Sequence, residues 1–265
     1  MALGILRIFK AFASNQLAKF APQTYVRLTK QTGRGSRDAE SPTDIASYFI
    51  GCVADYFRIL GIPDNQQSDF VQDKVILEYG PGDFPGVALL FMSLGAKKVF
   101  CVDRFQLVNT SEKNIAVPKV LIEKLPKRQR ERLLECLIDP NKPEFGFIPA
   151  KIEYLVKRDG LSELRNEIDF VISRAVLEHV NDLEGTFLDI SKAMRPGALA
   201  VHQVDLKSHG LHRSNPLDFL QYSPWLWSLM YSHKGVPNRF RSNHYRQVVA
   251  KYAFDNIKFQ PTTFF

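Results

Sequence analysis

The sequence predicts an α/β protein: a doubly wound, mostly parallel sheet with helices on both faces, preceded by an N-terminal helical extension. Two observations carry that expectation. From residue 74 to residue 206, short apolar runs rich in β-branched residues alternate with apolar patterns at helical spacing, as in a parallel sheet whose strands are joined by crossover helices. The first run, "KVILEYG", then stops at a glycine-rich bend, "GPGDFPG", where a strand meets either a tight turn or a ligand lying against bare backbone.

Residues 1–70 read as the helical extension or cap, broken by "QTGRGSRDAESPTD". Within residues 1–20, Ile5, Ile8, Phe9, Phe12 and Ala13 share one helical face, and Arg7, Lys10 and Ser14 the other. Residues 1–37 carry Arg7, Lys10, Lys19, Arg27, Lys30, Arg34 and Arg37 and no acid, which accounts for the whole net charge of +7. A membrane-surface helix, a transit peptide and a helix docked on its own domain all remain open. Next, Ile45, Phe49, Val53, Phe57 and Leu60 mark a helix stopped by Gly61-Ile62-Pro63.

Residues 71–265 read as the main domain. "KVILEYG" is its first strand, "PGVALLFMSLG" a helix ended by Gly95, and "KKVFCVD" the second strand. "KRQRERLLE" is a solvated helix face, "KIEYLV" the third strand and "IDFVIS" the fourth. Leu183, Phe187, Ile190 and Met194 lie on one face of a helix that Pro196-Gly197 ends, and "ALAVHQVDL" is the fifth strand. Residues 207–245 form an insertion over the ligand-facing edge, and "NIKFQP" is left for a sixth strand.

Composition narrows the class. With 45% hydrophobic and 24% charged residues the chain is an ordinary globular protein. Its longest apolar stretch, around Val87–Leu94, is too short to cross a bilayer. Cys52, Cys101 and Cys136 form no CxxC pair and have no neighbouring histidines, so buried thiols in a reducing, cytoplasmic setting are expected, without a metal site. No secretory signal is expected either. The cations are not spread over the folded body, so no nucleic-acid partner is expected.

The bend and the second strand end belong together. Asp103 closes that strand 23 positions beyond Gly80, where a carboxylate accepts hydrogen bonds from two ribose hydroxyls. A nicotinamide dinucleotide fits this layout, but it calls for G-x-G-x-x-G. Here the run is Gly80-Pro-Gly82-Asp-Phe-Pro-Gly86, with the third glycine displaced by one and Asp83 where phosphates would lie. Asp83 and Glu78 suit a ligand that carries a sulfonium and an ammonium instead, as S-adenosylmethionine does.

Residues 75–103, "VILEYGPG…VFCVD", resemble the first two motifs of the Rossmann-like S-adenosylmethionine-dependent methyltransferases. "IDFVISRAVLEHV" resembles the segment after their fourth strand, and "DLEGTFLDISKAMRPGALAVHQVDL" the helix, turn and fifth strand that follow. The resemblance implies that Glu78, Gly80 and Gly82 line the methionine and ribose portions of the cofactor. Asp103, with Arg104 beside it, would hold the ribose end, Asp159 would reach the adenine amine, and Ser173 and Arg174 would sit at the lip. Ala198 departs from the pattern where a second glycine often follows Arg-Pro-Gly.

The same resemblance narrows the acceptor. Ser173-Arg-Ala-Val stands where nucleobase amine methyltransferases carry a Pro-Pro-aromatic tetrad, and no Pro-Cys pair serves cytosine C5 chemistry. Only Glu178 and His179 match the metal-holding segment of quinone-biosynthesis O-methyltransferases, with Ala175 at the earlier glutamate position. A general base near neutral pH points to histidine, and His179, His202 and His209 are the candidates. His202 also fits a satisfied core residue. Phe219, Tyr222, Leu226, Leu229 and Met230 approximate one helical face in the insertion, either an apolar lid or ordinary core. The expected function is methyl transfer to oxygen or nitrogen of a small apolar or aromatic metabolite. An NAD(P)-dependent oxidoreductase, or a catalytically silent cofactor-binding subunit that docks to a partner or a membrane surface through residues 1–20, are the alternatives.

Overall fold

The computed structural model describes residues 2–29, 40–208, 215, 217–235, 237–252 and 254–262. Five strands form one sheet in the order β3-β2-β1-β4-β5, every pair parallel. They are β1 (Val75–Tyr79), β2 (Lys98–Asp103), β3 (Ile152–Val156), β4 (Ile168–Arg174) and β5 (Met194–Gln203). The order runs outward from β1 to β3, then restarts on β1's other side with β4. The switch between β1 and β4 is where such sheets bind ligands, at the carboxyl ends of the strands.

One face of the sheet is covered by α3 (Pro42–Leu60), α5 (Gly86–Leu94), α6 (Glu112–Lys124) and α7 (Lys127–Leu134). α3 begins where Ser41 and Asp44 cap each other's backbone, and it ends at Gly61 in the left-handed conformation (φ 70°). Its Ile45, Phe49, Val53 and Phe57 are buried, as their spacing predicts. Phe57, Phe91, Phe170 and Phe70 stack in sequence with ring centroids 5.6–5.9 Å apart, fixing α3, α5 and the sheet in one core. Thus α3, although within residues 1–70, packs directly on the main domain. The other face is covered by α8 (Leu183–Ala193) and α10 (Ser242–Val249), with Leu183, Phe187, Ile190 and Tyr245 buried against Leu77, Val102 and Val171.

The remaining helices are α1 (Ala2–Phe20), α2 (Pro22–Thr29), the short α4 (Gln67–Val71) and α9 (Pro224–Tyr231). Ser223 caps α9 through the Leu226 amide, with Pro224 at its first position. α1 packs on α9.

Three elements differ from the sequence reading. α8 ends at Ala193, and Met194 already pairs with Ile168 across an irregular step in the β4–β5 ladder; Pro196-Gly197 therefore lies inside the strand. α6 went unread, although Ser111 caps it by accepting from the Asn114 amide. "NIKFQP" forms no strand, so among the described residues β5 is a sheet edge. No single described helix is long and apolar enough to cross a membrane.

Candidate functional site

Four strand tips converge at the switch point, and the sequence explains each one. After β1, Gly80 and Gly82 both adopt positive φ (66° and 78°), which glycine enters without the penalty a Cβ brings. A Cβ on Gly80 would lie 2.3 Å from Val176 Cγ2. The bare backbone there is needed by the protein's own β4 tip as well as by any ligand. Gly86 has a packing role, because a Cβ would overlap the Phe49 ring at 2.1 Å, where α3 crosses the first turn of α5.

After β2, the Asp103 Oδ1 accepts the Arg104 and Phe105 amides at 2.7 and 3.3 Å. The Gly82 backbone amide also acts on this carboxylate, more weakly than those two. Burial pushes its carboxyl up to about 6, against the pull of those amides and of Arg104. Its side chain remains half-buried and open to further donors. Arg104 runs along the third tip, where Gly160 (φ 76°) would place a Cβ 2.8 Å from Arg104 Cγ. Asp159 is exposed there and caps its own turn through the Leu161 amide at 3.1 Å. Tyr154 fixes the loop after β2, donating to the Phe105 carbonyl at 2.9 Å and accepting from the Leu107 amide at 3.2 Å.

At the β4 tip, Ala175 takes a left-handed backbone (φ 54°), a strained conformation for a side-chain-bearing residue that tends to mark functional turns. Arg174 is pinned to α3 by Asp55 at 2.7 Å, with its guanidinium 5.9 Å from the Tyr48 ring centroid. Ser173 is fully buried on the α8 face, its Oγ 2.7 Å from His202 Nδ1. Burial lowers the His202 ring to about 4, its Nε2 has no hydrogen-bond partner, and Phe187 meets it edge-on at 6.0 Å. With its Nδ1 on Ser173 and its Nε2 buried, the half-buried ring is held neutral at working pH. His179 is half-buried in the turn after β4, and His209 lies outside the described residues.

The two acids assigned to a cationic ligand sit differently from the sequence expectation. Glu78 is 6% exposed. It lies beneath the glycine bend, accepting from Cys101 Sγ at 3.7 Å, with the Ala88 amide of the first turn of α5 also favouring its charged form. Burial raises its carboxyl to about 8, so at neutral pH it is mostly uncharged. Asp83 is buried too, with the Asn114 side-chain amide on its carbonyl at 3.0 Å and on its carboxylate at 3.3 Å. Glu78 thus contacts β2 through Cys101, and Asp83 contacts α6 through Asn114.

The structure therefore brings Gly80, Gly82, Asp103, Arg104, Asp159 and Arg174 to the carboxyl edge and buries Glu78 and Ser173 beneath it, with the half-buried His202 bonded to Ser173. Sequence reasoning missed Asp55, Val176, Asn114 and Tyr154. Only Asn114 carried a local signal, three residues after the capping Ser111. α2 covers the β2 tip, with Tyr25 6.0 Å from Phe105. Beside it lies a cleft of about 390 Å³ lined by Gln23, Val26, Arg27 and residues 106–109. In the insertion, Phe219, Trp227 and Met230 are buried against Ala11 of α1, so these aromatics form a local core.

The strand order and the crossovers define a doubly wound, parallel α/β protein. Residues 65–258 match a family model described as a methyltransferase domain. The chain belongs to that family, the S-adenosylmethionine-dependent class which residues 74–206 resemble. Among solved structures it is similar to phosphoethanolamine N-methyltransferase 2 of Haemonchus contortus in complex with S-adenosyl-L-methionine (19% identity, TM-score 0.42, 71% of this chain and 34% of that one). It is also similar to an S-adenosylmethionine-dependent methyltransferase of Mesorhizobium loti (18%, 0.42, 68% and 74%). A third is a putative sarcosine dimethylglycine methyltransferase of Galdieria sulphuraria (12%, 0.42, 78% and 60%). The chain spans about a third of the length of the Haemonchus protein. No curated protein sequence matches it.

Proposed function

We propose that the chain transfers the methyl group of S-adenosylmethionine to an oxygen or nitrogen of a small-molecule acceptor. The observation that carries this reading is the Asp103 carboxylate, held by the amides of Arg104 and Phe105 at the tip next to the glycine bend, in a chain of the methyltransferase-domain family. When bound, S-adenosylmethionine would supply a methyl carbon activated by its sulfonium, the carbon–sulfur bond breaking as the acceptor bond forms and S-adenosylhomocysteine leaving. The chain's own residues position the partners, and such orientation carries much of the rate in reactions of this kind.

Asp103 accepts the two ribose hydroxyls with the carboxyl surface left open beside its bound amides. Gly80 and Gly82 let the nucleoside lie close to the main chain. The acceptor approaches from the β4 and β5 tips, and of the two remaining histidine candidates His179 stands in the turn after β4, while His209 lies outside the described residues. His202 is set aside for that task because its Nδ1 is on Ser173 and its Nε2 is buried. The aromatic insertion is internally packed, so it lends no support to an apolar acceptor in particular.

Calorimetry with S-adenosylmethionine and with NAD tests the cofactor, and formation of S-adenosylhomocysteine with a panel of phenols, amines and sugars tests the reaction. Binding of NAD alone overturns the proposal. Binding of S-adenosylmethionine without turnover on any acceptor favours the silent-subunit alternative.

A further inference from the structure

α1 carries two opposed faces, and only one of them is accounted for by the fold. Ala11 and Asn15 are buried against the α9 region, and Ala18 against Tyr25, Phe105 and Leu107. Asn15 locks that docking, donating to the Leu229 carbonyl at 3.0 Å and accepting from the His233 amide at 2.8 Å. Lys234 adds bonds to the Ala11 carbonyl at 2.9 Å and to Ser14 Oγ at 2.6 Å. The docked face is thus fixed, and the helix cannot roll to hide the other one.

That other face is apolar and open. Leu6, Phe9 and Phe20 are 52%, 65% and 74% exposed, and Ala13 is exposed between them. At 3.6 residues per turn these four fall within an arc of roughly 60°, opposite Ala11 and Ala18. Exposed Lys10 flanks the stripe on one side and exposed Lys19 on the other. Trp225 of α9, 73% exposed, lines a shallow groove together with Gln16 beside the same stripe. This differs from the sequence reading, in which Ile8, Phe9 and Ala13 shared one face: Ile8 packs inward, Phe9 faces out, and the side chains of Ile5 and Arg7 lie outside the described ones.

We propose that this face of α1, with Trp225, seats the protein on an anionic lipid surface. Apolar side chains on one helical stripe, flanked by lysines, match the boundary between acyl chains and acidic headgroups. Charge decides the occupant: residues 1–37 hold seven cations and no acid. A second copy placed on the stripe would bring two such segments together and be repelled, whereas an anionic bilayer attracts them. This inference stands independently of the methyl-transfer reading.

The test uses the full chain with vesicles of phosphatidylcholine alone and with roughly 30% phosphatidylglycerol added. Trp225 is exposed and Trp227 buried, so the emission reports seating directly. Co-sedimentation with anionic vesicles, a blue shift that vanishes in Trp225→Phe, and weakening in high salt are expected. Leu6→Ser with Phe9→Ser, at exposed positions that leave the melting temperature unchanged, weakens partition by at least about tenfold. Absence of binding to anionic vesicles overturns the proposal. So does equal, salt-insensitive binding to neutral vesicles, or a concentration-dependent dimer that the double variant abolishes.

Discussion

Val176, at the tip of β4, occupies the space that any side chain on Gly80, at the tip of β1, would require; the approach is 2.3 Å to a built Cβ. The two loops flanking the switch point are in mutual contact, and the glycine serves that contact in addition to its positive φ of 66°. Gly80→Ala is therefore expected to cost about 2–4 kcal/mol from backbone strain and overlap together. Adding Val176→Ala should recover only the overlap. Urea unfolding of the single and double variants checks this; full recovery would show that strain at position 80 is negligible.

Asp103→Ala should weaken S-adenosylmethionine binding by tenfold or more, since two hydroxyl bonds to a carboxylate are worth about 1.5–3 kcal/mol each. Stability should fall far less. The wild-type affinity should also decline as pH drops through about 6, where the carboxyl takes up its proton. Calorimetry between pH 5 and 8 reads both effects, and an unchanged affinity in the variant would remove Asp103 from the site.

His202 should contribute to folding rather than to proton transfer. Its ring titrates at about 4 when folded against an ordinary 6.5. Its contribution is complete above pH 6.5 and is lost as pH falls toward 4. His202→Gln is expected to lower the melting temperature at pH 7 and to leave the neutral limb of the rate profile in place. Loss of that limb would make His202 the base.

Glu178 predicts the opposite slope. It is 1% exposed, neither carboxyl oxygen has a hydrogen-bond partner in normal geometry, and burial raises it to about 8. The folded chain holds this proton more tightly than the unfolded chain, so its contribution is full below about 4.5 and declines as pH rises to 8. Glu178→Gln should flatten the fall in stability between pH 5.5 and 8.5. Urea titrations at the two values measure it, and an unaltered slope would place the titration elsewhere, with Glu78 the next group to test.

What the sequence makes legible here is local. Strand and helix periods, the caps at Ser41 and Ser223, and the stop at Gly61 each depend on residues a few positions apart. Asp103 and the bend emerge for the same reason, because strand ends mark the ligand edge of a parallel sheet. The Arg174–Asp55 pair spans 119 positions, and Val176 meets Gly80 across two strands. Neither leaves a local pattern. Glu78 is instructive in another way: its place at a strand tip and, by alternation, its sheet face are readable, but its burial depends on α5 packing over that face. The inserted aromatics were ambiguous because a lid and a small core share one spacing, and only the arrival of Ala11 from α1 decides between them.

β5 bounds the sheet, and among the described residues nothing pairs with its outer side. An open ladder of amides and carbonyls invites a foreign strand, and with it self-association into ordered aggregates. The first half of β5 answers this with chemistry: Arg195 carries a charge, Pro196 offers no amide hydrogen, and Gly197 bends the backbone at φ 81°. Leu199, 42% exposed, has no such guard beside it, so insolubility on mild heating should begin from the second half of that border.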